Sequence, residues 1–224
     1  MAISMTRDAL KRVQRALPQL RQCQANLVLP PTGHILRGFS FERTPYKETF
    51  YLWRIVLPLY RYHFRKTLDY SKRMPGGVRV LLSREAPDQT ARDIVKIISE
   101  DIPNLERIRT PLDFLDHVSW MIGNDRPNFL LDLAVTYFLV GRLEDAMVSL
   151  RQVEARTEQL IANYSAESGL KDPMVERLIE IRSVADDLRK QMMADPAATA
   201  RRISDWERNN IAAFDLGETL ADTV

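Results

Sequence analysis

"RGFSFERTPYKETFYLWRIVLPLYRYHFRK", residues 37–66, carries the alternation on which the fold turns. Phe39, Phe41 and Arg43 share one face of an extended segment, because successive side chains of a strand point to opposite sides. In the return segment Tyr51, Trp53, Ile55 and Leu57 face one way, and Phe50, Leu52, Arg54 and Val56 the other. Between them, residues 44–47 read "TPYK", and Pro45 holds φ at about −65°. A primed two-residue turn needs φ > 0, so a longer hairpin loop is expected. The return strand is apolar on both faces except at Arg54, the pattern of a central strand covered on two sides, and Pro58 should end its ladder. Arg54 must then meet a carboxylate or a ligand, because an unpaired buried charge is very costly.

The flanking segments extend this hairpin into an α+β plan. Leu10, Val13, Ala16, Leu17 and Leu20 recur at helical spacing within residues 5–24, Thr6 is a suitable cap, and Pro18 kinks or ends the helix. "GGVRVLLS", residues 76–83, reads as a third strand after a Gly-Gly turn. From residue 85 the period changes to that of a helix. Thr90 and Asp93 form a capping-box pattern, and Ala91, Ile94, Ile97, Ile98 and Ile102 make a stripe that should stop at Pro103. Thr110-Pro111, Asp172-Pro173 and Asp195-Pro196 each join a capping residue to proline at the first helical position, and Arg126-Pro127 is a weaker version. Helices are therefore expected near 111–122, 127–140, 143–163, 173–193 and 196–214. The expected architecture is an N-terminal helix, a small antiparallel sheet with one covering helix, and an all-helical bundle. The division is placed at 1–84 and 85–224, or the two parts form one continuous domain.

Charge follows the same division. Residues 1–84 hold 16 Lys and Arg against 4 Asp and Glu, whereas residues 85–224 hold 16 against 26, so a net charge of +2 conceals a polarised chain. The basic part can pack on the acidic part or meet a polyanion or an acidic surface. No stretch approaches the roughly 18 apolar residues of a membrane span. The N-terminus lacks an apolar signal core, and a single cysteine, Cys23, forms no internal disulfide; together these lead us to expect a reducing, cytoplasmic setting and no membrane partner. Cys23 is expected in the N-terminal helix as a small packing residue.

"NFLLDLAVTYFLVGRLEDAMVSLRQVE", residues 128–154, resembles one tetratricopeptide repeat. The resemblance rests on Leu130, Ala134, Tyr137, Gly141, Ala146 and Leu150, at the spacing of two packed helices. It departs from the pattern at Val153, where a small residue is usual, and at Glu158, near where proline often closes the repeat. A second copy is not found in residues 90–122 or 164–214. The resemblance implies a helical hairpin similar to those of peptide-binding arrays, set in a larger bundle.

Catalytic patterns are scarce. The chain has no G-x-G-x-x-G, no phosphate-binding loop and no G-x-S-x-G, and no cofactor is expected. Asp113, Asp116 and His117 share one face of a predicted helix at i, i+3 and i+4, the one combination that could converge on a metal, but no second motif at defined spacing joins them, so no metal site is assigned. The strongest binding pattern is "LYRYHFRKTLDYSKR", residues 59–73, where Tyr60, Tyr62, His63, Phe64 and Tyr70 interleave with Arg61, Arg65, Lys66, Lys72 and Arg73. Cations neutralise phosphates while aromatic faces stack on bases. The same alternation also describes rings in a core with guanidinium groups in water. Candidate binding residues are thus Arg37, Arg43, Arg54, Arg61, His63, Arg65, Lys66 and Tyr137. The leading expectation is a non-catalytic intracellular protein of adaptor, regulatory or immunity type, binding a protein partner through its helical half or forming a homodimer. The alternative is a nucleic-acid-binding protein using residues 1–84.

Overall fold

The computed structural model describes residues 10–24, 26–30, 32–43, 49–62, 70–74, 79–81, 87–121, 123–168 and 172–216. The fold is α+β: a helix, an antiparallel sheet, and then helices. The chain forms two units, residues 1–59, 64–113 and 209–224 in the first, and residues 60–63 and 114–208 in the second. This differs from a division at 84/85. The long helix after the sheet and residues 209–216 belong with the strands.

In the first unit, helix α1 (residues 10–16) buries Leu10 and Val13 and stops ahead of Pro18. Strand β1 (Arg21–Cys23) follows, so Cys23 lies in a strand and not in the expected helix; its buried thiol donates to the carbonyl of Phe214. β1 pairs with β2 (Asn26–Val28), β2 with β3 (Ile35–Arg43), and β3 with β4 (Thr49–Pro58), all antiparallel. The other edge of β4 takes β5 (Lys72–Arg73) and β6 (Arg79–Leu81). The expected hairpin is β3–β4, in register from Ile35↔Pro58 to Arg43↔Phe50, and the expected third strand is β6. The turn at 44–47 lies outside the described residues. β1, β2 and β5 were not expected, and β4 is the central strand that its two apolar faces require.

Gly38 permits this sheet to close. A Cβ at that position would stand 2.1 Å from the carbonyl oxygen of Leu27 on β2, so only hydrogen fits where β2 and β3 meet.

Helix α2 (Pro87–Glu106) contacts β3 and β6 and buries Ile94, Ile98, Ile102 and Leu105. Pro103, expected to stop this helix, lies inside it. Proline removes the hydrogen bond to the carbonyl four residues back, yet burial of Ile102 and Leu105 holds one more turn. Arg37 supplies that turn with a cap. Its side chain, 1% exposed, sends Nη1 to the carbonyls of Leu105 at 3.3 Å and Glu106 at 3.5 Å, and Nη2 to the carbonyl of Leu29 at 3.4 Å. A cation at the carbonyl end of a helix complements its dipole. Burial, followed by repulsion from Arg109, lowers the Arg37 guanidinium to about 10, with Glu106 and Asp113 pulling the other way.

Helix α3 (Pro111–Val118) opens with a reciprocal cap. Asp113 Oδ2 accepts from the Thr110 amide at 2.8 Å, the Arg109 amide at 2.9 Å and the Thr110 hydroxyl at 2.9 Å, while Thr110 Oγ1 accepts from the Asp113 amide at 3.2 Å.

The second unit is helical. α4 (Pro127–Leu139), α5 (Leu143–Ser168) and α6 (Pro173–Ala194) pack in sequence, and α7 (Pro196–Ala213) follows. Asp172 caps α6 by accepting from the Met174 amide, and Asp195 accepts from the Ala198 amide at the start of α7. Arg126 makes no side-chain cap. Gly141 has φ +78°, its amide donates to the Phe138 carbonyl, and the Arg142 amide donates to the Tyr137 carbonyl. This double closure ends α4 and turns the chain into α5, and the left-handed conformation suits glycine. Ala134, Ala146, Leu150 and Val153 are fully buried in the resulting helix pair.

Candidate functional site

Among the described residues, three cations of this segment, Arg37, Arg54 and Arg61, turn to internal partners. Arg37 caps α2, as above. Arg54 Nη1 lies 3.0 Å from Asp101 Oδ1 on α2, so the lone cation of the central strand has the carboxylate that its burial demands. Arg61 Nη2 lies 2.9 Å from Asp132 Oδ2 on α4, with both side chains buried. Arg43 ends β3 opposite Phe50, and its side chain is outside the described residues, as are His63, Arg65 and Lys66 entirely.

Tyr60 completes the buried group around Asp132. Thr136 Oγ1 donates its one proton to the Asp132 carbonyl at 2.6 Å, so the Tyr60 hydroxyl, 3.0 Å from Oγ1, must be the donor to Thr136. Burial pushes the Tyr60 phenol far up, since a phenolate there would lose its water. Tyr60 and Arg61 thus fasten the segment after β4 to α4, and neither ring nor guanidinium faces solvent. Tyr62 stands edge-on to Trp206, with centroids 5.2 Å apart, and donates to Glu180 at 3.0 Å. Tyr70 is buried, while Arg73 lies over the rings of Tyr51 and Trp53. The alternation of rings and cations therefore serves packing at Tyr60, Arg61 and Tyr70. This pairing was missed from the sequence; Asp132, a lone carboxylate inside the apolar run of α4, is the signal that could have found it.

The metal combination is not assembled. Asp113 spends its inner oxygen on the α3 cap, Asp116 is exposed, and among the described residues no group of three or more His, Cys, Asp or Glu side chains is placed to hold a metal ion.

Tyr137 lies elsewhere, in a groove of about 540 Å³ along α4 and α5. Phe129, Leu130, Leu133 and Tyr137 recur on α4 at helical spacing and form one wall. Asp145, Val148, Ser149, Gln152, Arg156 and Gln159 form the stripe opposite on α5. The two ends are polar. At one, Arg156 pairs with Asp125 at 2.9 Å; at the other, Arg142 pairs with Asp145 at 2.7 Å and lies over the Tyr137 ring. Val148 is 44% exposed, an apolar side chain held open at the lip. An apolar floor with amide and hydroxyl groups along one rim can accept an extended or helical peptide, whose side chains fill the floor while its backbone meets Ser149, Gln152 and Gln159. The sequence placed Tyr137 in this hairpin but gave no sign of Phe129, Val148 or Gln152 as lining residues, because each is also ordinary on a packed helix.

Comparison with protein-family models, with curated proteins and with solved structures finds no match. Among the described residues no helix is long and apolar enough to cross a membrane.

Proposed function

We propose that this is a non-catalytic protein-interaction protein, of adaptor, regulatory or immunity type, which receives a segment of a protein partner in the α4–α5 groove. The groove itself carries the reading: about 540 Å³ of concave surface with an apolar floor, an exposed Val148 and hydrogen-bonding side chains along one rim. The resemblance of residues 128–154 to a tetratricopeptide repeat supports it, since arrays of that family bind peptides on paired helices. The cytoplasm is the setting that the single, buried cysteine suits. The nucleic-acid alternative loses three of its cations, because Arg37, Arg54 and Arg61 are committed to internal partners.

The test is photocrosslinking in the cell of origin. A photoreactive residue replaces Val148 in one version of the protein and Met193, exposed on α6, in another. A discrete protein adduct from position 148 that is absent from position 193 supports the groove, and an adduct of twice the chain's mass makes a second copy the partner. Equal labelling at both positions, or none at 148, overturns the reading.

A further inference from the structure

A second groove, of about 460 Å³, lies between α1 and α2 within the sheet unit. Ala16, Ala91 and Val95 form its floor, and cations stand on both rims: Arg12 and Arg15 from α1, Arg92 and Lys96 from α2. The spacing explains the arrangement. Arg12, Arg15 and Ala16 fall at i, i+3 and i+4, and Asp88, Ala91, Arg92, Val95 and Lys96 continue the same rule on α2, so each helix turns one stripe toward the other.

The four cations are unequally satisfied. Arg12 is paired with Asp88 across the groove, and Arg92 turns back to the Gln89 amide oxygen at 2.8 Å. Arg15 and Lys96 are exposed, and their side chains find no partner among the described residues. One carboxylate is therefore already in place, and two cations on opposite rims await others.

We propose that the α1–α2 groove docks an acidic amphipathic helix of a partner protein. Charge complementarity selects the sign: Arg12, Arg15, Arg92 and Lys96 face a single lining carboxylate, Asp88. The floor selects the class. A phosphate backbone needs cations but no hydrocarbon floor, and base recognition on a single strand uses aromatic platforms, of which the described lining residues offer none. An apolar stripe flanked by Asp and Glu uses both features, with the stripe on Ala16, Ala91 and Val95 and the carboxylates on Arg15 and Lys96. From Asp88 to Lys96 the α2 wall runs about 12 Å, so a little over two turns of a partner helix span it.

Fluorescence anisotropy with the full-length protein tests this. The probe is a labelled peptide of about 14 residues with Leu and Glu at helical spacing. The references are a scrambled peptide of the same composition and a single-stranded RNA of similar charge. The amphipathic peptide should bind best, and R15E/K96E should weaken it at least about tenfold. Both positions are exposed, so circular dichroism should show an unchanged fold; the milder R15A/K96A pair should give a smaller loss in the same direction. Met193→Glu, on another helix, should change nothing. Unaltered affinity in R15E/K96E, equal binding of the scrambled peptide, tighter binding of RNA, or no peptide binding at all would each overturn the proposal.

Discussion

Arg61 and Asp132 meet at 2.9 Å with side chains only 5% and 4% exposed, joining the segment after the central strand to the core helix α4. Two charges taken out of water repay their desolvation only when both are present and well placed. Asp132→Ala takes this carboxylate away from a buried guanidinium and should cost about 3–5 kcal/mol of stability. Arg61→Met with Asp132→Leu removes the charges together and should recover most of that loss. Urea denaturation of the two single variants and the double variant measures the coupling. If the double variant is as unstable as the sum of the singles, the pair is not the fastening described.

Arg37 is a helix cap drawn from a strand, and its removal should act on α2. Arg37→Met leaves the carbonyls of Leu29, Leu105 and Glu106 without this donor, at about 1–3 kcal/mol for each buried group left unpaired. A pH effect follows with a definite sign. The folded guanidinium titrates at about 10, below its ordinary value, so at neutral pH it is charged in both states and the cost of its burial is fully present. Above that value the unfolded chain binds more protons, and this group's contribution to stability rises with pH. The gap between the parent protein and Arg37→Met should therefore widen from about pH 9 to about pH 11. A gap that narrows would contradict the depressed titration.

How far the sequence revealed these features depended on the length of the signal. The β3–β4 hairpin showed because its alternation continues through nine paired positions, and Pro58 closes the register where it was expected. β1, β2 and β5 have only two or three residues each, too few for a period to emerge from composition. Pro103 misled because local propensity was outweighed by burial of Ile102 and Leu105. Arg37 and Arg61 read as surface cations because what buries them, the end of α2 and Asp132 of α4, lies about 70 residues further along the chain. Arg54 was legible because its strand is apolar on both faces, which required a partner such as Asp101. Of the α4–α5 groove's lining, Leu130 and Tyr137 were visible beforehand as residues of the repeat-like hairpin, and only Tyr137 as a binding candidate.

Gly38 should tolerate no side chain. Ala at this position sets a Cβ against the Leu27 carbonyl, and since backbone cannot move aside without breaking the β2–β3 ladder, Gly38→Ala should lose about 2 kcal/mol or more. Gly33 supplies the contrast, with nothing within 4 Å of the position a Cβ would take. Gly33→Ala should stay within about 0.5 kcal/mol of the parent, as surface changes usually do. Hydrogen exchange distinguishes local from global damage: in Gly38→Ala the amides of β2 should lose protection before those of β4. Equal stability of the two variants would mean that the strands adjust without cost.

Asp113 tests whether the acidic face of α3 is a cap or a ligand set. Burial raises the Asp113 pKa, but the amides of Arg109 and Thr110 and the Thr110 hydroxyl outweigh it, and the net effect lies below the usual carboxylate value. A carboxyl depressed in the folded state contributes stability that is present above its unfolded pKa and is lost as pH falls through the folded value. Asp113→Ala should therefore cost about 1 kcal/mol at neutral pH, and the difference from the parent should shrink below about pH 4, where the parent's own carboxylate takes up a proton. Thr110→Ala should behave similarly at neutral pH, because the cap is reciprocal. Added zinc should leave the melting temperatures of the parent and Asp113→Ala equally unaffected. A zinc-dependent rise in the parent that Asp113→Ala abolishes would return this residue to a metal site and displace the capping account.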